Sequence, residues 1–94
     1  MRLHRSDDYH ADLIGIVEHI AQDNPAAALA MWDTIERQVE RLADHPRSGR
    51  PGRVPETREL VAAGVPYVVV YRVGHAVELL RVLHGAQQWP PPAR

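Results

Sequence analysis

Ninety-four residues with no cysteine and a formal charge of −1 fit one domain with a modest core, and exclude disulfides, thiolate metal sites and thiol chemistry. The longest apolar runs fall far short of a membrane span, and "MRLHRSDDYH" carries charge where a signal peptide needs an apolar stretch, so a soluble cytoplasmic chain is expected. The small total hides an asymmetry. Residues 1–46 hold four arginines against nine acids, whereas residues 47–94 hold seven arginines against three acids. With no lysine in the chain, every fixed cation is a planar arginine fork, suited to carboxylate or phosphate. The cationic second half points to an anionic partner or to ordinary surface charge.

The chain opens with "MRLHR", a candidate short strand, and then a helix signature. Ser6 can cap it, Asp7 and Asp8 suit its positive end, and Asn24-Pro25 should stop it. Tyr9, Leu13, Ile16, Val17, Ile20 and Ala21 recur at helical spacing on one face. Gly15 within that helix costs about 1 kcal/mol against alanine unless close packing requires it. A second helix starts at Asn24-Pro25 and runs toward "ADHP", with Ala28, Trp32, Ile35, Val39 and Leu42 as one seam. Asp33, Arg37 and Arg41 fall on the opposite, solvated side. The short connection predicts an antiparallel helical hairpin.

"PRSGRPGRVPETREL" (46–60) follows, with four arginines and three prolines. Its Pro and Gly punctuation reads mainly as a stiffened connector. Arg47, Arg50 and Arg53 are available there to a partner's carboxylates or a DNA backbone but are held too loosely for catalysis, whereas Arg58 lies inside a strand and is positioned. Beyond the connector the apolar period changes to two. "TRELV" (57–61), "VPYVVVYRV" (65–73) and "AVELLRVLH" (76–84) read as strands, with "AAG" and a two-residue Gly74-His75 turn between them. The sum is an α+β fold of order β-α-α-β-β-β over residues 1–94: a helical hairpin packed on one face of a small, mainly antiparallel sheet, with 91–94 as a tail.

Alternation places Tyr67, Val69 and Tyr71 on one side of their strand, and sets Leu79, Arg81 and Leu83 against Leu80, Val82 and His84. Because burying an unpaired arginine is expensive, Arg81 is expected on the open face and Leu80 and Val82 in the core. Parity puts His84 on the core side, but as the last strand residue it can also turn out to the rim. Trp89 is expected to cover the core edge. The histidines form no i,i+4 pair and have no cysteine partner, so no metal and no cofactor are expected.

"DNPAAAL", "GRPGRVPETREL", "PYVVVYRV" and "LRVLHGAQQWP", in this order across roughly residues 3–90, resemble the RelE/ParE superfamily of toxins from type II toxin-antitoxin modules. The resemblance implies a cognate antitoxin that wraps and neutralises the toxin, with operator DNA reached only through that antitoxin. It also implies one of two activities: ribosome-dependent mRNA cleavage, as in RelE, or poisoning of DNA gyrase, as in ParE. Metal-free RNA cleavage needs a proton acceptor, a cation for the phosphorane and an acid for the leaving oxygen. The candidates are His84, Arg58 and Arg81, with Tyr67 or Tyr71 as hydroxyl or stacking surface. Against the RelE pattern, the middle of the third strand is Val68-Val69-Val70, and "HGAQQWP" has neither Arg nor Tyr. A ParE-like reading, to which the sequence is closer and which is preferred, needs a gyrase-binding surface instead, for which Arg58, Arg81, His84 and Trp89 are candidates. A non-toxic antitoxin partner or co-repressor is the third alternative.

Overall fold

Both helices begin where their caps dictate. In the computed structural model, which describes residues 1–85 and 87–92, the Tyr9 amide donates to Ser6 Oγ at 3.0 Å and the Ala27 amide to Asn24 Oδ1 at 3.0 Å. Each bond satisfies one of the free N–H groups that a helix N-terminus leaves. The elements are β1 (Leu3–Arg5), α1 (Asp7–Ala21), α2 (Pro25–Glu40), a 3-10 turn (Arg41–Ala43), β2 (Arg50–Pro51), β3 (Arg58–Val61), β4 (Tyr67–Val73) and β5 (Val77–His84). The second helix thus tightens after Glu40 instead of running on to His45. The expected tail is described only to Pro92; Ala93 and Arg94 lie outside the described residues, as does Ala86.

The sheet has the order β1-β5-β4-β3-β2, with β1 parallel to β5 and every other pair antiparallel. The helical hairpin packs on one face. Tyr9 and Leu13 of α1 and Ile35, Val39 and Leu42 of the α2 arm form one buried cluster with Val69, Tyr71, Val77, Leu79 and Val82. Burial of each such side chain contributes about 2 kcal/mol. Trp32 is partly buried against this cluster. Polar ties add direction to the packing. Tyr9 donates its hydroxyl to Glu36 Oε1 at 2.7 Å, and Arg5 reaches Glu36 Oε2 at 2.7 Å. Burial, reinforced by Glu36, pushes the Tyr9 phenol above its ordinary range.

Three features differ from the sequence expectation. Arg50-Pro51, within the expected connector, pairs with Glu59 and Arg58 as a two-residue edge strand; proline is tolerable there because its missing donor faces outward. The turn after β4 spans residues 74–76, closing with the Gly74 amide on the Ala76 carbonyl and the register Val73↔Val77. Gly64, not Gly74, adopts positive φ (79°), so the two-residue turn that needs a left-handed glycine does not form.

The third difference resets β5. Val70 pairs with Arg81 and Tyr71 with Leu79, leaving Leu80 as an extra residue, the signature of a β-bulge. The bulge inverts the alternation at that point, so Leu79 and Val82 both join the helix-side core and Leu80 does not, contrary to expectation. The second face is not an open concavity either. Val68, Val70 and Leu83 are buried there along with Glu59.

Candidate functional site

The two ends of the sheet carry the polar residues singled out above, and each end is organised around one carboxylate. At the β5 end, the strand continues past its pairing with β1, leaving outward backbone groups that would otherwise face solvent or another strand. Side chains close them. Ser6 Oγ donates to the Leu80 carbonyl at 3.1 Å, the Val82 amide donates to Asp12 Oδ2 at 2.9 Å, and the His84 amide donates to Gln87 Oε1 at 3.4 Å.

Asp12, in the second turn of α1 and only partly exposed, also accepts both arms of Arg81: Nε to Oδ2 at 2.7 Å and Nη2 to Oδ1 at 3.0 Å. This fork-to-fork pairing fixes orientation as well as charge. The Asp12 hydrogen bonds raise the Arg81 pKa further, against the opposing effect of partial burial. The guanidinium lies over the Trp89 ring, 5.4 Å from its centroid, a cation–π contact. Trp89 Nε1 is buried without a hydrogen-bond partner among the described residues. Arg81 is therefore not on an open face. By register it shares the side of Val70, but it reaches round the strand edge to α1 and is covered by Trp89.

Beside this edge runs an open groove of about 450 Å³, lined by residues that include Asp12, Gly15, His19, Tyr67, His84 and Gln87. Tyr67 and His84 are cross-strand partners, edge to face with ring centroids 5.8 Å apart. The groove offers a phenol and imidazoles for proton transfer. None of its described lining residues is an arginine, and Asp12 adds negative charge, which disfavours a phosphate there.

At the β2–β3 end the carboxylate is Glu59, only 1% exposed. It accepts from Arg50 Nη2 and Nε at 2.9 and 3.2 Å through Oε1, and from the Arg53 amide and Nε at 3.0 and 3.1 Å through Oε2. Burial pushes its pKa up, but the Arg53 and Arg50 hydrogen bonds outweigh that and hold it at about 2. Arg58 donates to the Gly49 carbonyl at 3.0 Å and the Arg47 carbonyl at 2.9 Å. Tyr71 is fully buried, and its hydroxyl accepts the Gly49 amide at 2.8 Å. Gly49 has no alternative in that place, since a Cβ would meet the Tyr71 ring at 2.7 Å and the Glu59 carbonyl at 2.9 Å.

The sequence candidates thus divide into two groups. Arg81, His84, Tyr67 and Trp89 gather at the β5 end, and Arg47, Arg50, Arg53, Arg58 and Tyr71 at the β2–β3 end. Arg50 and Arg53 are anchored, not loose. Asp12 and Glu59, which organise the two ends, were missed. The available signal for Glu59 was an acid inside "TRELV", directly after an arginine-rich connector; a carboxylate there demands cationic partners. Among the described residues no group of three or more His, Cys, Asp or Glu is placed to hold a metal ion, and no described helix is long and apolar enough to cross a membrane.

A helical hairpin on a five-stranded mixed sheet, with arginines gathered at its β2–β3 end, is the architecture that known toxins of toxin-antitoxin systems share with this chain. The family described as the ParE toxin of the type II toxin-antitoxin system, parDE, matches residues 3–89. The candidate toxin Y4kP of Sinorhizobium fredii is 49% identical over 72 residues, covering 77% of this chain and 75% of that protein. Toxin ParE1 of Caulobacter vibrioides is 38% identical over 50 residues, covering 53% and 52% respectively. Among solved structures, the chromosomal ParDE toxin-antitoxin system from P. aeruginosa superposes with a TM-score of 0.82 at 31% identity, over 89% of this chain and 95% of that one. The chain belongs to the ParE family of type II toxins.

Proposed function

We propose that this ParE-family toxin poisons DNA gyrase, holding the enzyme with its DNA cleaved, and that a cognate antitoxin neutralises it by covering the toxin surface. The toxin forms and breaks no covalent bond in this reading; it acts by binding. The family match supports it, as does the likeness to a structure titled as a ParDE system. One observation carries the choice against RNA cleavage. Arg58 and Arg81, the cations a metal-free nuclease would aim at the phosphorane, are both committed internally, to backbone carbonyls and to Asp12. Electrostatic catalysis needs such charge directed at the reacting phosphate.

The test uses purified toxin, gyrase and relaxed plasmid. Supercoiling is expected to fall and linear DNA to accumulate once the gyrase is denatured, and prior addition of the antitoxin should reverse both. Unchanged supercoiling, together with mRNA cleavage in a translating extract, would replace this reading with the ribonuclease.

A further inference from the structure

We propose that the β2–β3 end of the sheet is a phosphate-binding face that takes the backbone of duplex DNA. Between residues 47 and 59 the chain holds four arginines against two glutamates. The structure shows what those charges do. One carboxylate, buried Glu59, serves two guanidiniums, whose side chains remain 55% exposed at Arg50 and 38% at Arg53. Arg58 donates to two carbonyl oxygens and, among the described residues, pairs with no carboxylate, so it adds positive field to the face without itself contacting the phosphate. Arg47 is exposed and lends the network its carbonyl, not its guanidinium.

The result is a surplus of positive charge on a rigid support. Glu59 ties both arginine stems and the Arg53 amide to β3, and Arg58 ties the preceding loop to the same strand. A bond to Glu59 uses only part of an arginine's five donors, so Arg50 and Arg53 keep outward N–H groups for a second anion. Holding the stems in place lowers the entropy that a phosphate contact would otherwise cost.

The face favours nucleic acid over an acidic protein segment because it lacks an apolar anchor. Stable protein interfaces centre on buried aromatic or aliphatic residues. Among the described residues, the large exposed hydrophobics Met1, Ile14 and Leu29 lie in the N-terminal strand region or on the helices, and Val61 is at the far end of β3. Phosphate contacts are polar, salt-sensitive and independent of base sequence. In the gyrase complex such a face would grip the duplex leading from the cleaved site; that placement rests on the gyrase reading, while the contact with DNA does not.

The experiment is fluorescence anisotropy of a labelled 20-base-pair duplex with the purified toxin across a salt series, alongside the gyrase assay. Three contacts predict a slope of log affinity on log salt of about −2.7, reduced by about 0.9 for each arginine removed. Arg47→Gln, which breaks no internal bond of its side chain, and Arg50→Gln should each lower affinity about fivefold near 50 mM salt. Arg37→Gln, on exposed α2, should change neither quantity. Equal affinity and slope for wild type, Arg47→Gln and Arg50→Gln would overturn the proposal. So would loss of antitoxin binding in these variants with DNA binding intact, since the partner would then be an acidic peptide. If the DNA slopes change as stated but wild type leaves gyrase untouched, the face stands and the gyrase reading falls. If gyrase is poisoned equally by all variants and their slopes match, the reverse holds.

Discussion

The two ends of the sheet solve the same problem, an arginine beside an exposed strand edge, with opposite charge balances. At the β5 end one arginine meets one aspartate, the pair is partly solvated at 33% and 18% exposure, and a tryptophan lies over it. At the β2–β3 end a single buried glutamate meets two arginines, and a third arginine is held by carbonyls alone. The first end is electrically closed and the second keeps a surplus. Cost explains the difference. A fully buried carboxylate requires several charge-assisted bonds to offset its desolvation, whereas one that keeps some contact with water, as Asp12 does, is satisfied by a single fork and an amide. The excess of cations at the β2–β3 end is therefore a by-product of burying Glu59, and it leaves charge available for a partner.

The largest expected effect follows from that burial. Replacing Glu59 by alanine removes four hydrogen bonds and should lower stability by about 3 kcal/mol, a fall in Tm of about 15 °C for a domain of this length. Titration sharpens the point. With its pKa depressed to about 2, Glu59 contributes stability that is fully present above the unfolded carboxylate value near 4.5 and is lost as pH falls through about 2. Denaturant midpoints between pH 5 and pH 2 should decline more steeply in wild type than in Glu59→Gln; equal slopes would remove Glu59 from its role.

Asp12→Ala comes next, at about 1.5 kcal/mol, because Arg81 is exposed enough to rehydrate while the Val82 amide loses its acceptor. A chemical denaturation curve would measure it, and a loss as large as that of Glu59→Ala would erase the contrast between the two ends. Trp89→Ala should cost about 1 kcal/mol through the lost cation–π contact and cover. The smallest effect has the opposite sign. A Cβ built at Gly15 meets nothing within 4 Å, so no close packing requires the glycine. Gly15→Ala should therefore raise stability by about 0.8 kcal/mol, read as a rise in Tm of a few degrees.

The helical layer was legible because its signals are local. Ser6 and Asn24 cap as their side chains dictate, and Ala28, Ile35, Val39 and Leu42 are buried in the spacing their seam implies. The sheet was legible in its strands and less so in its details. A two-residue pairing such as Arg50-Pro51 leaves no periodicity to read, and a bulge adds a residue without any change in composition around Leu80. That single extra residue moved Leu79 to the core side and Leu80 away from it, which defeats any parity argument carried along β5. The site was least legible, since Asp12 and Glu59 acquire their meaning from partners 69 and 6 to 9 positions away. The family resemblance, by contrast, rested on motifs spread along nearly the whole chain, and the ParE match over residues 3–89 agrees with it.

What the toxin stops first distinguishes a gyrase poison from a ribosome-dependent nuclease. Inducing the chain without its antitoxin, while following labelled thymidine and labelled methionine incorporation over the first minutes, separates the alternatives directly. DNA synthesis is expected to fail first, with translation intact. Translation failing first, with DNA synthesis continuing, would contradict the gyrase reading.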